Sequence, residues 1–214
     1  MSEMVLSIGT VKINVHHRFL TDIIKSAFED PVASNFHMTP FEEYWKKSDK
    51  HTVKVYSEVY SSPDMLQAYQ EVHSLLHEPG DDLEHVIASL MLWLDVTQLA
   101  NFRDASLWPI YLYFGNQSKY IRGHPAASAC HHVAYIPTLP DDFQDMYTAF
   151  YGKALTGEVY THCKHELMHT VWELLLDEKF MDAYKIGIVV RCGDGIMRQI
   201  FPWLFSYSAD YPEK

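Results

Sequence analysis

The sequence predicts a mixed α+β fold: three antiparallel strands, then helices, then a further strand, with a helical region ahead of them. Three observations predict it. Apolar runs at Val86 to Leu94, Leu107 to Phe114 and Ala129 to Thr138 follow one another across short connections rich in turn residues. After Pro140 the apolar spacing lengthens to the period of a helix. A last apolar run, Pro202 to Tyr207, leads into Ser208-Ala209-Asp210.

Composition bounds what such a chain can be. Its 214 residues are 48% hydrophobic and 14% aromatic, enough for a sizeable core in one domain, or one domain with an appendage. Cys130, Cys163 and Cys192 are far apart and odd in number, which favours a reducing, intracellular setting over a disulfide framework. The opening residues lack the pattern of a signal peptide. No apolar run reaches the roughly 20 residues of a membrane helix. A net charge of -11 excludes a protein that simply coats nucleic acid. The charge is uneven, though. Ala105 to Pro140 holds no acid but carries Lys119, Arg122, His124, His131 and His132. That segment suits a phosphate-bearing substrate, and equally an ordinary sheet region short of charge.

Residues 1–80 read as the helical N-terminal region. Phe19, Ile23, Ile24 and Phe28 lie at helical spacing within Arg18 to Phe28. Thr39-Pro40 opens a short helix at Phe41 to Trp45, with Glu42 and Glu43 in its first turn. Ser62-Pro63-Asp64 opens another through Leu76, and Glu78 to Asp82 breaks it at the expected boundary. Residues 81–214 form the core. Its three strands are joined too briefly for crossovers and read as an antiparallel meander. Helices follow at Asp141 to Tyr151, Glu158 to Leu176 and Phe180 to Ile186. Gly187 to Cys192 and Ile196 to Ile200 flank a Gly193-Asp194-Gly195 turn as a hairpin.

Asp95 ends the first strand of this core and Asp210 the last. Three antiparallel strands, a helix and a further strand are the beginning of a ribonuclease-H-like fold, here incomplete. In that fold the first and fourth strands lie side by side, so acids at their ends would share a metal. Such bare carboxylates are the donors of metal-dependent phosphoryl transfer.

Longer segments carry a resemblance. LDVTQLANF (94–102), ASLWPIYLYFGNQSKYIRGHP (105–125), HHVAYIPTLPDDFQD (131–145), THCKHELM (161–168), GIVVRCGDGIMRQIFP (187–202) and YSADYPEK (207–214) resemble the transposases of Plavaka-type fungal DNA transposons. These belong with the Kyakuja–Dileera–Zisupton group, and IIKSAFEDP, FHMTPFEEYW and VYSEVYSSPDMLQAYQE extend the likeness toward the start. The resemblance implies a ribonuclease-H-like core with an Asp-Asp-Glu set. Asp95 and Asp210 would be catalytic and metal-binding, the cofactor Mg²⁺ or Mn²⁺, the partner DNA at transposon ends, and the setting intracellular and nuclear. Val96 and Gln98 depart from the family's Ser and His beside the first Asp. No third acid is assigned, since Glu213 is too close to Asp210 in sequence. The expectation is a fragment truncated after the second catalytic Asp and inactive alone.

Two other classes compete. His165-Glu166-Leu167-Met168-His169 is a literal HExxH, in which both His could bind zinc and Glu166 act as general base of a metallopeptidase. No His follows His169, and Glu173, Asp177 and Glu178 lie in the same or adjoining helix. The other class is a non-catalytic transposon remnant. Among lesser candidates, His131 and His132 would point to opposite faces of a strand. Asp194 reads as a turn residue, Cys163 and Cys192 as buried small apolar groups, and Trp108 and Tyr111 to Phe114 as strand core.

Overall fold

The computed structural model describes residues 1–8, 11–75, 82–94, 97–98 and 106–209, with backbone alone at 5–8, 11, 97–98 and 106–107. The chain opens with β1 (Ser2–Ile8) and β2 (Val11–His17), an antiparallel pair. Helix α1 (Leu20–Glu29) follows, then the strands β3 (Glu43–Ser48) and β4 (His51–Val55), and helix α2 (Pro63–His73). The central strands are β5 (Glu84–Leu94), the short β6 (Thr97–Gln98), β7 (Ser106–Phe114) and, after the one-turn helix α3 (Lys119–Arg122), β8 (His131–Ile136). Helices α4 (Phe143–Tyr151), α5 (Gly157–Leu175) and α6 (Glu178–Ile186) lead to β9 (Ile188–Arg191) and β10 (Met197–Ala209).

The main sheet runs β1-β2-β8-β7-β5-β10-β9, with β6 paired to β7 off that path. β5, β7 and β8 form the expected antiparallel meander. β10 lies against β5 in parallel, and the other neighbours are antiparallel. The fold is therefore mixed α+β, with strands from both sides of Pro79 in one sheet.

Helices α2, α5 and α6 start where the sequence supplies caps. Ser62, Thr156 and Asp177 each accept from a backbone N–H of the first turn of α2, α5 and α6, worth about 1 kcal/mol apiece. Val86, Ala88, Leu90, Leu92 and Leu94 of β5 bury one face of the sheet. Ile110, Leu112 and Phe114 of β7 join them, and α1 (Ile23, Ile24, Phe28) and α5 (Leu167, Val171, Leu175) cover that face. On the opposite face Met65, Ala68 and Val72 of α2 pack against Ile87 and Phe201.

Three stretches differ from the sequence reading. The helix expected at Phe41 to Trp45 is strand β3, paired with β4. Pro40 and two acids mimic a helix start, but Tyr44 and Trp45 find strand partners in Lys54 and Val53, and strand preference is decided by such partners. The opening residues, read as part of a helical region, form the β1–β2 pair, in which buried Ile13, Val15 and His17 alternate with exposed Lys12, Asn14 and His16. Finally, Ile196 to Ile200 and Pro202 to Tyr207 are one strand, β10. Pro202 is tolerated because β9 stops pairing at Ile200, so the missing N–H is not needed on that side.

Candidate active site

The parallel pairing of β5 and β10 fixes the geometry of the site. Trp93 is the register partner of Ser208, and Leu94 that of Ala209. Neighbouring strands lie about 4.8 Å apart, so the two strand ends leave the sheet together. The expected ligands Asp95 and Asp210 come next in sequence and lie outside the described residues.

Beside those ends the sheet face away from α1 and α5 is open. α2 covers the start of β5 at Ile87, and beyond it lies a groove of about 510 Å³ lined by Met91, Trp93, Tyr111, Tyr113, Arg122, Gly123, Ser206 and Ser208. Trp93 is 51% exposed, whereas its neighbours Leu92 and Leu94 are buried, as the two-residue period of a strand requires. Tyr111 and Tyr113 are half-buried on this open face, while Leu112 and Phe114 point into the core. The whole Tyr111 to Phe114 run was expected to be core, and alternation divides it. A hydrogen bond with Cys130, together with burial, pushes the Tyr113 phenol up to about 12, so it stays a neutral O–H.

The cation at the groove is fixed from a distant part of the chain. The side chain of Glu58 is almost fully buried and accepts from Arg122 Nη2 at 3.3 Å, from the Lys119 N–H at 2.9 Å and from Ser118 Oγ at 3.4 Å. Arg122 also donates to the Gln117 carbonyl. Glu58 therefore holds both the first residue of α3 and the guanidinium at its end. Sequence reasoning missed it, because no local signal links residues 60 or more positions apart.

The other candidates separate cleanly. His165, Glu166 and His169 are exposed on α5, whose Leu167, Val171 and Leu175 face the core. Among the described residues no group of three His, Cys, Asp or Glu could hold a metal ion, so the HExxH has no third ligand there. His131 packs its ring on Phe114, while His132 lies against Tyr111 and hydrogen-bonds the Tyr135 hydroxyl, on the other side of β8. Asp194 is a turn residue, accepting from the Ile196 N–H at 3.0 Å and from Arg198 Nη1 at 2.8 Å. Burial raises the thiol pKa of Cys163 and of Cys192, which makes both poor nucleophiles.

The fold and the site thus define a mixed α+β protein with a groove at the ends of two parallel strands, each leading into an Asp. A family model described as Plavaka transposase matches residues 3–214. The chain belongs to the Plavaka transposase family. No curated protein and no solved structure matches it. No helix among the described residues is long and apolar enough to cross a membrane.

Proposed function

We propose that this chain carries metal-binding carboxylates of a DDE-type transposase, an enzyme that cleaves and joins DNA strands, on a ribonuclease-H-like core. The observation that carries the reading is the register of β5 and β10, with Leu94 opposite Ala209 in parallel strands and an Asp next in each chain segment. The sheet order supports it as well. β8-β7-β5-β10 is an antiparallel meander whose first strand is flanked by a later parallel one, the arrangement that ribonuclease-H-like cores begin with.

The donor chemistry fits a hard cation. Carboxylate oxygens are what Mg²⁺ or Mn²⁺ takes, and Mg²⁺ keeps several waters, so few protein ligands are needed. When bound, a pair of such ions activates the attacking oxygen and stabilises the leaving one in an in-line displacement at a phosphodiester. In this reading Asp95 and Asp210 hold the ions. Met91 and Trp93, and Ser206 and Ser208, line the groove on the two strands that precede those positions in sequence. Trp93 and Tyr111 wall the site and limit water. No third acid is assigned among these residues, so we expect them to bind divalent cations weakly and not to complete strand transfer unaided. DNA, specifically transposon ends, is the partner, and the setting is nuclear.

The test is Mn²⁺ binding followed by electron paramagnetic resonance. Asp95→Ala and Asp210→Ala should each weaken binding by roughly tenfold or more, as loss of a charged ligand from a small set requires. Wild-type binding in both variants would sink the assignment.

A further inference from the structure

β3 and β4 form a second sheet of two strands, and among the described residues they pair only with each other. No residue of either strand is buried. Trp45 is 59% exposed and its cross-strand partner Val53 is 40% exposed. A hairpin with no layer behind it is marginal in water, and an exposed Trp–Val pair on it is an aggregation hazard. Such a ribbon calls for a reason.

Its base is held firmly. Glu42 accepts from Lys54 Nζ and from the Tyr44 hydroxyl, both at 2.5 Å, and Ser57 Oγ donates to Glu43 at 2.5 Å. On either side of the ribbon, Phe41 and buried Tyr60 meet at 5.6 Å, and Tyr60 stacks on His37 at 3.8 Å. Every residue of the tip, Lys47 to His51, is exposed.

Charge sets the ribbon apart from the rest of the molecule. In a chain of net charge -11, Glu43 to Val55 carries four lysines and His51 against two acids. Lys46 pairs with Asp49 and Lys54 with Glu42, but Lys47 and Lys50 enter no ion pair among the described residues. The register places Trp45 and Val53 on one face and Tyr44, Lys54, Lys46 and Thr52 on the other.

We propose that the β3–β4 ribbon is a docking arm for duplex DNA, lying in a groove of the duplex with Lys47 and Lys50 on the flanking phosphates. The choice of DNA as partner rests on the transposase reading above. The major groove, about 12 Å wide and about 8.5 Å deep, admits a two-stranded ribbon. Six extended residues span about 20 Å, enough to reach its floor from a fixed base. An acidic protein approaches a polyanion through concentrated local cations, because phosphate contacts supply most of the affinity. The ribbon is also continuous with the candidate active site. A cleft of about 380 Å³ runs from Tyr56 and Ser57 at its base to Met91 and Ser206, which also line the groove beside the strand ends. A second copy of this chain against the Trp45 face is the competing occupant.

The experiment is fluorescence anisotropy of a labelled duplex titrated with the full chain in EDTA, across a salt series. Lys47→Ala/Lys50→Ala should weaken binding roughly fivefold or more and reduce the slope of log K against log salt by about 2. Trp45→Ala should weaken binding with the slope unchanged, and Lys153→Ala/Lys164→Ala should behave as wild type. Unchanged thermal melts show that the tip variants fold. The proposal is overturned if the ribbon double variant binds like the Lys153/Lys164 control. It is equally overturned if the wild type sediments as a dimer that Trp45→Ala disperses while DNA affinity is untouched. Mn²⁺ binding by the same variants separates the two readings. Ribbon variants should retain it, whereas failure of Asp95→Ala to lose it removes the active-site reading and leaves the arm standing.

Discussion

The side chain of Asn116 pairs with the backbone at Ser89 as though β7 ran two residues further. Its Oδ1 accepts from the Ser89 N–H at 2.8 Å, and its Nδ2 donates to the Ile87 carbonyl at 2.8 Å and to the His37 carbonyl at 3.2 Å. The Asn116 backbone carbonyl accepts in turn from the His37 N–H at 2.8 Å. One fully buried amide thus joins β5, the end of β7 and the segment that leads into the ribbon.

Asn116→Ala should therefore be costly. It strands the Ser89 N–H and the Ile87 carbonyl in the interior, each at about 1–3 kcal/mol. A loss of about 2–5 kcal/mol in urea denaturation is expected, with the m-value unchanged. A loss below about 1 kcal/mol would mean that water replaces the amide.

Gly115 precedes it and approaches β5 too closely for a side chain. A Cβ there would lie 2.5 Å from Ser89 Oγ and 2.8 Å from Val59 Cγ1. Gly115→Ala should destabilise by about 1–3 kcal/mol through overpacking. Because the Ser89 hydroxyl has no hydrogen-bond partner among the described residues, Ser89→Ala should restore part of the loss in the double variant. Strict additivity of the two substitutions would show that Val59, not Ser89, is the obstacle.

Stability should fall on mild acidification. Burial holds His17 below the usual 6.5, with the charge of Asp177 opposing it. His131 is lowered too, by burial and then by the positive charge of Arg18. Below about 6.5 the unfolded chain takes up protons that the folded one refuses, so folding weakens as pH falls toward the depressed values. Above about 6.5 both states are neutral at these positions and the contribution is complete. Urea midpoints at about pH 7.5 and about pH 5.5 should differ less for His17→Phe than for wild type. Parallel pH profiles for the two proteins would remove His17 from the account.

The central meander, the five longer helices and the β9–β10 hairpin were legible because each announces itself locally. Period-two or helical runs end there in Pro, Gly or a capping Ser, Thr or Asp. The adjacency of the first and last core strands was legible from their order alone. The ribbon was not, because Thr39-Pro40-Phe41-Glu42-Glu43 carries a helix-start signal and the pairing of Trp45 with Val53 is invisible until both strands exist. Neither was Glu58, nor Asn116, whose amide reaches the His37 carbonyl across 79 positions. Polar groups that act over such separations leave no periodic trace.

The β5–β10 pairing has a kinetic meaning as well. Its ion pair between Arg198 and Glu84 spans 114 positions, and no shorter-range strand pair brings these two edges together. Contacts of that separation carry a large loop-closure entropy and form late. During synthesis β5 leaves the ribosome long before its parallel neighbour exists, with one edge of the strand waiting. Until β10 is made, the meander lacks Ile200 in its core, α2 lacks Phe201 to pack on, and the strand ends beside the groove cannot assemble. A chain stalled or cut anywhere before β10 would keep the β3–β4 ribbon and the meander strands but lack the paired strand ends beside the groove.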